Sequence, residues 1–388
     1  MGSSKIKSAI IAASILFSTT NLSAISFEEY QKQQQSSYTK YKDNIEEEFK
    51  AYKKAYADAF SEFKDELSKK WPDKEPDITT KKKWVEYTPN LESKKSVDFE
   101  KEELSFEVIA KNEEEAKKKI EKLFEQTLTQ DVKTAVKNDI IEKKVYKKLK
   151  KKRPEVKSTQ KIIADIIKAQ EKQKLKKELQ KQKYTKVSYN GKFIYKANVK
   201  LPANSTVRKA KQFKSDVIKY SSKEKIPAEL IYAIMHSESS FNPMAKSHIP
   251  AFGLMQIVPK TAGVDSYKYL YKKKKVLSSS YLYTSQNNIK IGSAYLHILY
   301  YRYLKRIEDP QSRLYCAIAA YNTGAGNVAK AFIGSYNINK ASVTINKLSS
   351  QEVYNTLIKK LPYNETRKYL KKVNDRVSAY NKLLKTTL

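Results

Sequence analysis

Pro-Ala-Glu-Leu-Ile-Tyr-Ala-Ile-Met-His-Ser-Glu-Ser-Ser-Phe-Asn-Pro, residues 227–243, reads as a short helix built around one acid. Proline suits a first helical position, where its missing N–H is no loss. Leu230, Ile231, Ile234 and Met235 recur at helical spacing and mark a buried face. Glu238 follows Ile231 by seven residues, Ile234 by four and Met235 by three, so it falls on that same face. Pro243 limits the helix and leaves the carboxyl near its C-terminal end. Burial and the negative end of the helix dipole both disfavour the charged form. The expected state is a protonated carboxylic acid near neutral pH, which a general acid for glycosidic cleavage requires. The plainer alternative is a glutamate at a helix end pointing into water, and the residues that follow argue against it.

After Glu238 come Ser239, Pro243, Ser247 and Gly253-Leu-Met-Gln-Ile257. Further on stand Asn288-Ile-Lys-Ile-Gly-Ser-Ala-Tyr-Leu296, Ala320-Tyr-Asn-Thr-Gly-Ala-Gly326 and Leu361-Pro-Tyr-Asn-Glu-Thr-Arg-Lys-Tyr369. In order and spacing these motifs resemble those of the soluble lytic transglycosylase family. One motif would be a weak signal; the ordered set is specific. Residues 27–110, with Lys83-Trp-Val-Glu-Tyr-Thr-Pro-Asn90 inside them, resemble the amino-terminal domain of the transglycosylase C family, and the likeness is strongest from 227 onward. Two departures stand out. Met235, His236 and Ser237 replace three apolar residues usual before the glutamate, and Pro250 replaces a common glycine.

The resemblance implies a mostly α, lysozyme-like catalytic domain preceded by an α+β N-terminal domain. It implies cleavage of the β-1,4 bond between N-acetylmuramic acid and N-acetylglucosamine in peptidoglycan. Glu238 would protonate the bridging oxygen while the substrate's own N-acetyl group stabilises the cationic centre. Glu238 would then take the proton of the C6 hydroxyl as a 1,6-anhydro ring closes, so no water enters and the enzyme is a lyase. No cofactor is implied. Ser247 would hydrogen-bond near the muramoyl group, and Gly253, Leu254, Met255 and Gln256 would line the cleft, Met255 and Gln256 touching sugar. Tyr321 would orient Glu238, Asn322 would fix local backbone and touch substrate, and Glu365 and Tyr369 would close the floor. On the residues alone, turns and packing explain Gly253, Leu254 and Asn322 equally well. Ser239 reads as a helix-end holder.

Other chemistries find less support. Ordinary glycosidases use two carboxylates, yet no Asp or Glu occurs from Ser239 through Val264. The three histidines, His236, His248 and His297, form no His-x-x-x-His pair and have no cysteine cluster beside them, so no metal site is expected. The single cysteine, Cys316, lies in an apolar run and reads as a buried small hydrophobe. No glycine-rich loop follows a strand. Three rival readings remain: a lysozyme-type muramidase using the same Glu238, a non-catalytic wall-binding scaffold, and a nucleic-acid binder.

The 388 residues carry a formal charge of +35. The lysines are spread along the whole chain, densest at Lys147, Lys148, Lys150, Lys151, Lys152 and Arg153, a run that reads as a solvated face. No nucleic-acid motif accompanies them. The expected anionic partners are peptidoglycan strands with their stem carboxylates and, peripherally, a charged membrane surface, attractions that salt screens. Cell-envelope proteins are further candidate partners. Residues 1–26 read as a signal peptide: Lys5 and Lys7, an apolar stretch from Ala9 to Phe17, then a small-residue exit. That stretch is too short to span a membrane. No cysteine follows it, so the lipid attachment typical of the resembled family has no anchor point here, and a periplasmic location is expected.

Tyr38, Tyr41, Ile45, Phe49, Tyr52, Tyr56, Phe60, Phe63, Leu67 and Trp71 recur in threes and fours and predict one long amphipathic helix ended by Pro72, its stripe read as core. Residues 96–99 and 104–108 predict paired strands around a charged turn, and 84–87 a short strand. Residues 112–184 predict helices packed on that sheet, and Val187 to Tyr195 a hairpin turning at Asn190-Gly191. Near Leu201-Pro-Ala-Asn204 the pattern becomes helical to the end, with polar insertions at 264–286 and 335–350. That change separates a domain at 27–200 from one at 201–388.

Overall fold

The computed structural model describes residues 27–388, apart from 74, 164, 165, 248, 249, 387 and 388. The expected signal segment and His248 lie outside the described residues. The chain divides into two units, Met1–Phe49 and Lys50–Leu388. What is described of the first is helical: α1 (Phe27–Ser68) begins there and ends in the second. The helix stops at Ser68 and not at the proline, because the chain turns at Lys70 and Trp71. The Trp71 indole donates instead to the Leu91 carbonyl at 2.7 Å.

Three strands follow, β1 (Lys83–Tyr87), β2 (Ser93–Asp98) and β3 (Glu103–Ala110). Then come α2 (Glu113–Thr129), α3 (Val132–Asn138), α4 (Ile140–Lys148) and α5 (Ala169–Lys181), and a closing hairpin of β4 (Thr185–Tyr189) and β5 (Lys192–Lys200). The sheet is antiparallel throughout, in the order β1-β2-β3-β5-β4. Asn190 and Gly191 both take positive φ, 48° and 71°, as a two-residue hairpin turn demands.

Alternation along the strands fixes what each face covers. Leu104, Phe106 and Val108 of β3 point to the side where Ala116, Ile120 and Phe124 of α2 are buried. Ile109 and Ile194 point the other way, onto Ala59, Phe63 and Leu67 of α1 and Val145 of α4. The stripe of α1 within the second unit is therefore core, as its periodicity predicts. Asn112 starts α2 by accepting from the Glu115 amide at 2.9 Å, while the Glu115 carboxylate accepts from the Lys111 amide.

From Ser205 the chain is helical: α6 (Ser205–Gln212), α7 (Lys214–Glu224), α8 (Ala228–Ser239), α9 (Val264–Tyr271), α10 (Ser279–Leu282) and α11 (Ser285–Ile298). The rest comprises α12 (Pro310–Thr323), α13 (Ala325–Ile333), α14 (Ile338–Ile345), α15 (Ser350–Lys360) and α16 (Asn364–Thr386). The expected order, an α+β part ahead of a mostly helical part, is what is observed. The polar insertions are more regular than their composition predicts: α9 and α10 occupy the first and α14 the second. α14 is started by Asn337, which accepts from the Lys340 amide, and α10 by Ser278, which accepts from the Tyr281 amide. Among the described residues no helix is long and apolar enough to cross a membrane.

Polar contacts join the sheet region to the helices. Glu102 accepts from the Ser205 hydroxyl at 2.6 Å and from the Thr206 amide and hydroxyl. Arg208 pairs with Glu171 through both terminal nitrogens. Lys209 is buried, its side-chain amino group donating to the Ile162 carbonyl at 2.5 Å and standing 3.7 Å over the Phe99 ring. Among the described residues its partners are one carbonyl and one ring face, and burial drives its pKa well below that of a free lysine. The folded state then resists protonation that the unfolded state accepts, so folding is penalised below the unfolded pKa and the penalty fades as pH rises to it. Lys209→Met should raise the thermal midpoint at pH 7, and the gain should shrink by about pH 10, near the free-lysine pKa. Melting curves of both proteins at the two pH values measure this.

Candidate active site

The catalytic candidate sits where its helix runs into a forced turn. Pro227 lies just outside α8, one position earlier than predicted, and Leu230, Ile231, Ile234 and Met235 are all buried. Glu238 is 6% exposed on that same face. The helix ends at Ser240 and Phe241, both left-handed (φ 49° and 62°), before Pro243 is reached. The Ser239 hydroxyl lies 3.0 Å from the Met235 carbonyl and 2.7 Å from that of Leu254. It ties the helix end to the loop opposite.

Burial holds the Glu238 carboxyl above the usual carboxylate range. The charge of Lys81 and the Tyr369 hydroxyl pull it back, and the exposed Glu365 carboxylate pushes it further up. Desolvation wins, which is the direction the helix face predicts. The Tyr369 hydroxyl is buried beside the carboxyl, close enough to favour its charge but without the geometry of a hydrogen bond. Tyr321 donates to the Met255 carbonyl at 2.8 Å, and the nearby Glu238 charge reinforces burial in holding its phenol protonated.

The described residues of the loop after the helix, 242–247 and 250–257, form the opposing wall. Gly253 adopts φ +74°, and a Cβ there would stand 2.4 Å from Asn288 Nδ2, so only glycine fits. Asn288 of α11 accepts from the Met255 amide at 2.8 Å and donates to the carbonyls of Phe252 and Leu282. The loop is therefore built on one buried amide side chain. Gln256 takes φ 49°; its Nε2 donates to the Gly253 carbonyl at 3.1 Å, and its Oε1 is buried without a partner among the described residues.

The structure brings Glu238, Tyr321, Tyr369 and the Met255–Gln256 backbone together. Ser247 stands further along the loop, its hydroxyl accepting from the Ala251 amide. Met255 is fully buried, its carbonyl taken by Tyr321 and its side chain packed so close to α11 that a Cβ on Gly292 would lie 2.2 Å from its sulfur. Asn322 accepts from the Thr366 hydroxyl at 2.7 Å and so braces α12 against α16. Glu365 lies at the rim, its side chain 79% exposed and 3.9 Å from Lys81.

Sequence reasoning missed Lys81, one lysine among many and distant along the chain. It also gave Asn288 no role, although the motif containing it was visible. His236 faces away from Glu238 as expected. Its Nδ1 and the Tyr380 hydroxyl are hydrogen-bonded at 3.0 Å, and burial pulls its pKa down to about 3. His297 bonds the Glu224 carbonyl, and Cys316 is buried. Among the described residues no group of three or more His, Cys, Asp or Glu side chains could hold a metal ion.

Residues 215–344 match the transglycosylase SLT domain family. The resemblance read from the motifs is thereby borne out, with Glu238, Gln256, Asn288 and Tyr321 inside the SLT match. The chain is 43% identical over 189 residues to the membrane-bound lytic murein transglycosylase C of Serratia proteamaculans, covering 49% of this chain and 52% of that one. It is 43% identical over 188 residues to the protein of the same name from Photorhabdus laumondii, covering 48% and 52%. The chain thus spans about half the length of the curated relatives it matches. Among solved structures, an inactive mutant of the lytic transglycosylase Slt of Pseudomonas aeruginosa aligns with 22% identity, 47% and 26% coverage and a TM-score of 0.36. Lys81, Glu365 and Tyr369 all lie outside the SLT match, so the site draws on chain before and after it.

The raised pKa of Glu238 has a thermodynamic signature. The folded state keeps a proton that the unfolded state releases above the ordinary glutamate pKa, so stability falls as pH rises through that window toward the folded value. Glu238→Gln, which cannot ionise, should melt higher than the native chain at pH 8 and lose most of that advantage at pH 4. Equal midpoint differences at both pH values would contradict a raised pKa.

Proposed function

We propose that the chain is a peptidoglycan lytic transglycosylase in which Glu238 acts first as acid and then as base. The supporting observation is a single carboxyl, buried at a helix end and held toward its protonated form, between two tyrosines and a polar loop. Glu238 gives its proton to the oxygen joining N-acetylmuramic acid to N-acetylglucosamine as the C1–O bond breaks. The carboxylate so formed takes the proton of the C6 hydroxyl while O6 bonds to C1, closing the 1,6-anhydro ring and restoring the acid. One group can serve both steps because its pKa lies nearer the working pH than a free glutamate's.

The cleft's unpartnered buried atoms fit this role. The Tyr369 hydroxyl lies beside the carboxyl and Gln256 Oε1 in the loop that carries Met255, both without a partner among the described residues, and sugar hydroxyl and amide groups would complete them. Glu365, whose charge Glu238 feels, is exposed and near Lys81, a poor position for a second catalytic carboxylate. Ser247 and Asn322 would act further out, on the muramoyl side and through the backbone respectively. The reading includes export through residues 1–26 to the periplasm, an N-terminal part at 27–200, a catalytic part at 201–388 and peptidoglycan strands as the substrate. Envelope proteins remain candidate partners.

Mass spectrometry of sacculi digested with the native chain should show anhydro-muropeptides. Glu238→Gln should lower their release by roughly two to four orders of magnitude. Reducing-end products would make the chain a muramidase, and sacculus binding without release a scaffold. The flanking charges should move the alkaline limb of the kcat/KM profile in opposite directions. Lys81→Ala removes a charge that favours ionised Glu238, so the acid form should persist to higher pH. Glu365→Gln removes a like charge and should shift the limb down. Both shifts should shrink in high salt, because both side chains are substantially exposed.

A further inference from the structure

Lys246, directly before Ser247, has no part in the chemistry above, yet it is among the most buried charges in the molecule. It is 8% exposed, and its ammonium is paired with the carboxylate of Glu142 in α4, itself 2% exposed. Tyr52 of α1 donates to the same Glu142 oxygen at 2.6 Å, and the ammonium stands 4.3 Å over the Tyr56 ring. Burial works against both charges. The Lys246 charge, with hydrogen bonds from Lys246 and Tyr52, nevertheless holds Glu142 below the usual range, and Glu142 holds Lys246 well above it. The pair is ionised and out of water.

The contact crosses from chain upstream of the SLT match to the loop after Glu238. Backbone bonds run beside it: the Lys246 amide donates to the Thr80 carbonyl at 3.3 Å, and Asn242 Nδ2 to that of Lys81 at 3.3 Å. Lys246 also bridges to Phe252, which in turn pairs with Ile257. The turn into this loop and its far end are costly to hold, with Ser240 and Phe241 at the helix end and Gln256 in the loop all left-handed. A buried ion pair is a poor source of stability, since apolar residues of similar volume commonly serve as well or better. What an ion pair adds is one geometry: a carboxylate and an ammonium hold a register that two methyl-bearing chains would let slip.

We propose that the Glu142–Lys246 pair fixes the conformation of loop residues 242–247 and 250–257, and so sets Gln256 and the Met255 carbonyl in place on the side of the site facing Glu238. Both are positioning residues, and the upstream segment is in this sense part of the reaction site. The claim about loop conformation stands by itself; the claim about turnover rests on the transglycosylase reading.

The test uses the full chain with Glu142→Leu and Lys246→Met combined, which removes both charges and leaves neither unpaired. Its thermal midpoint should match or exceed that of the native chain. Hydrogen exchange at the Ser247, Phe252, Gly253, Gln256 and Ile257 amides should quicken by about tenfold or more while the sheet amides stay protected. The kcat for anhydro-muropeptide release should fall roughly ten- to hundredfold with little change in KM, as expected of a misplaced site. Unchanged exchange at those amides, or native kcat in a stable double variant, would overturn the proposal. Tyr52→Phe keeps the ion pair and removes one hydrogen bond to it. It is the second variant if the double substitution does not fold, with a smaller quickening at the same amides expected and none counting against the proposal. Should the native chain release no muropeptides, the functional reading fails, while the exchange measurement still decides the clamp.

Discussion

The carboxyl of Glu238 is held where water scarcely reaches it, and an ionised group so placed is costly unless it is partnered. Much of the surrounding architecture serves that condition. The helix face that buries it is apolar for two turns, the loop opposite is stitched to its end through Ser239, and α16 brings Tyr369 to its side without fully satisfying it. A carboxyl with strong donors on both oxygens would ionise; one left with apolar walls alone would rarely give its proton back. Glu238 lies between these, with burial opposed by Lys81 and Tyr369.

Close approach is the second requirement, and it depends on missing side chains. Gly253 lets the loop fold over Asn288, and Gly292 lets Met255 press into α11. Asn288 then holds two backbone groups of the wall and one of α10 on a single amide. The wall facing the carboxyl is thus braced by buried hydrogen bonds where Asn288 meets it.

Much of this was legible in the sequence because the decisive signals are local. The spacing of Leu230, Ile231, Ile234 and Met235 fixed the face of Glu238, and the Asn190-Gly191 pair fixed a hairpin. The stripe through Tyr52, Phe63 and Leu67 marked a core helix. What was not legible depends on contacts between distant residues. Nothing local distinguishes Lys81 or Lys246 from the other lysines of so basic a chain, because burial and partner are properties of the assembled fold. Met255 illustrates the converse: its position at the cleft was readable, but its inward side chain follows from the absence of a side chain at Gly292. The end of α1 was misplaced because Trp71, apolar and in register, leaves the helix to reach the Leu91 carbonyl.

The seam around Lys246 also bears on the order in which the molecule comes together. Its bonds close long stretches of chain: Tyr52 and Glu142 are 90 residues apart, Glu142 and Lys246 are 104, and Lys81 and Asn242 are 161. Contacts of such separation cost entropy before they return any energy, so they form slowly and late. The helix bearing Glu238 can form early from its own spacing, but the wall that faces it waits for chain made far earlier to fold back. A half-folded chain therefore has Glu238 on its helix without the wall that faces it, and the site is complete only once these long-range contacts close.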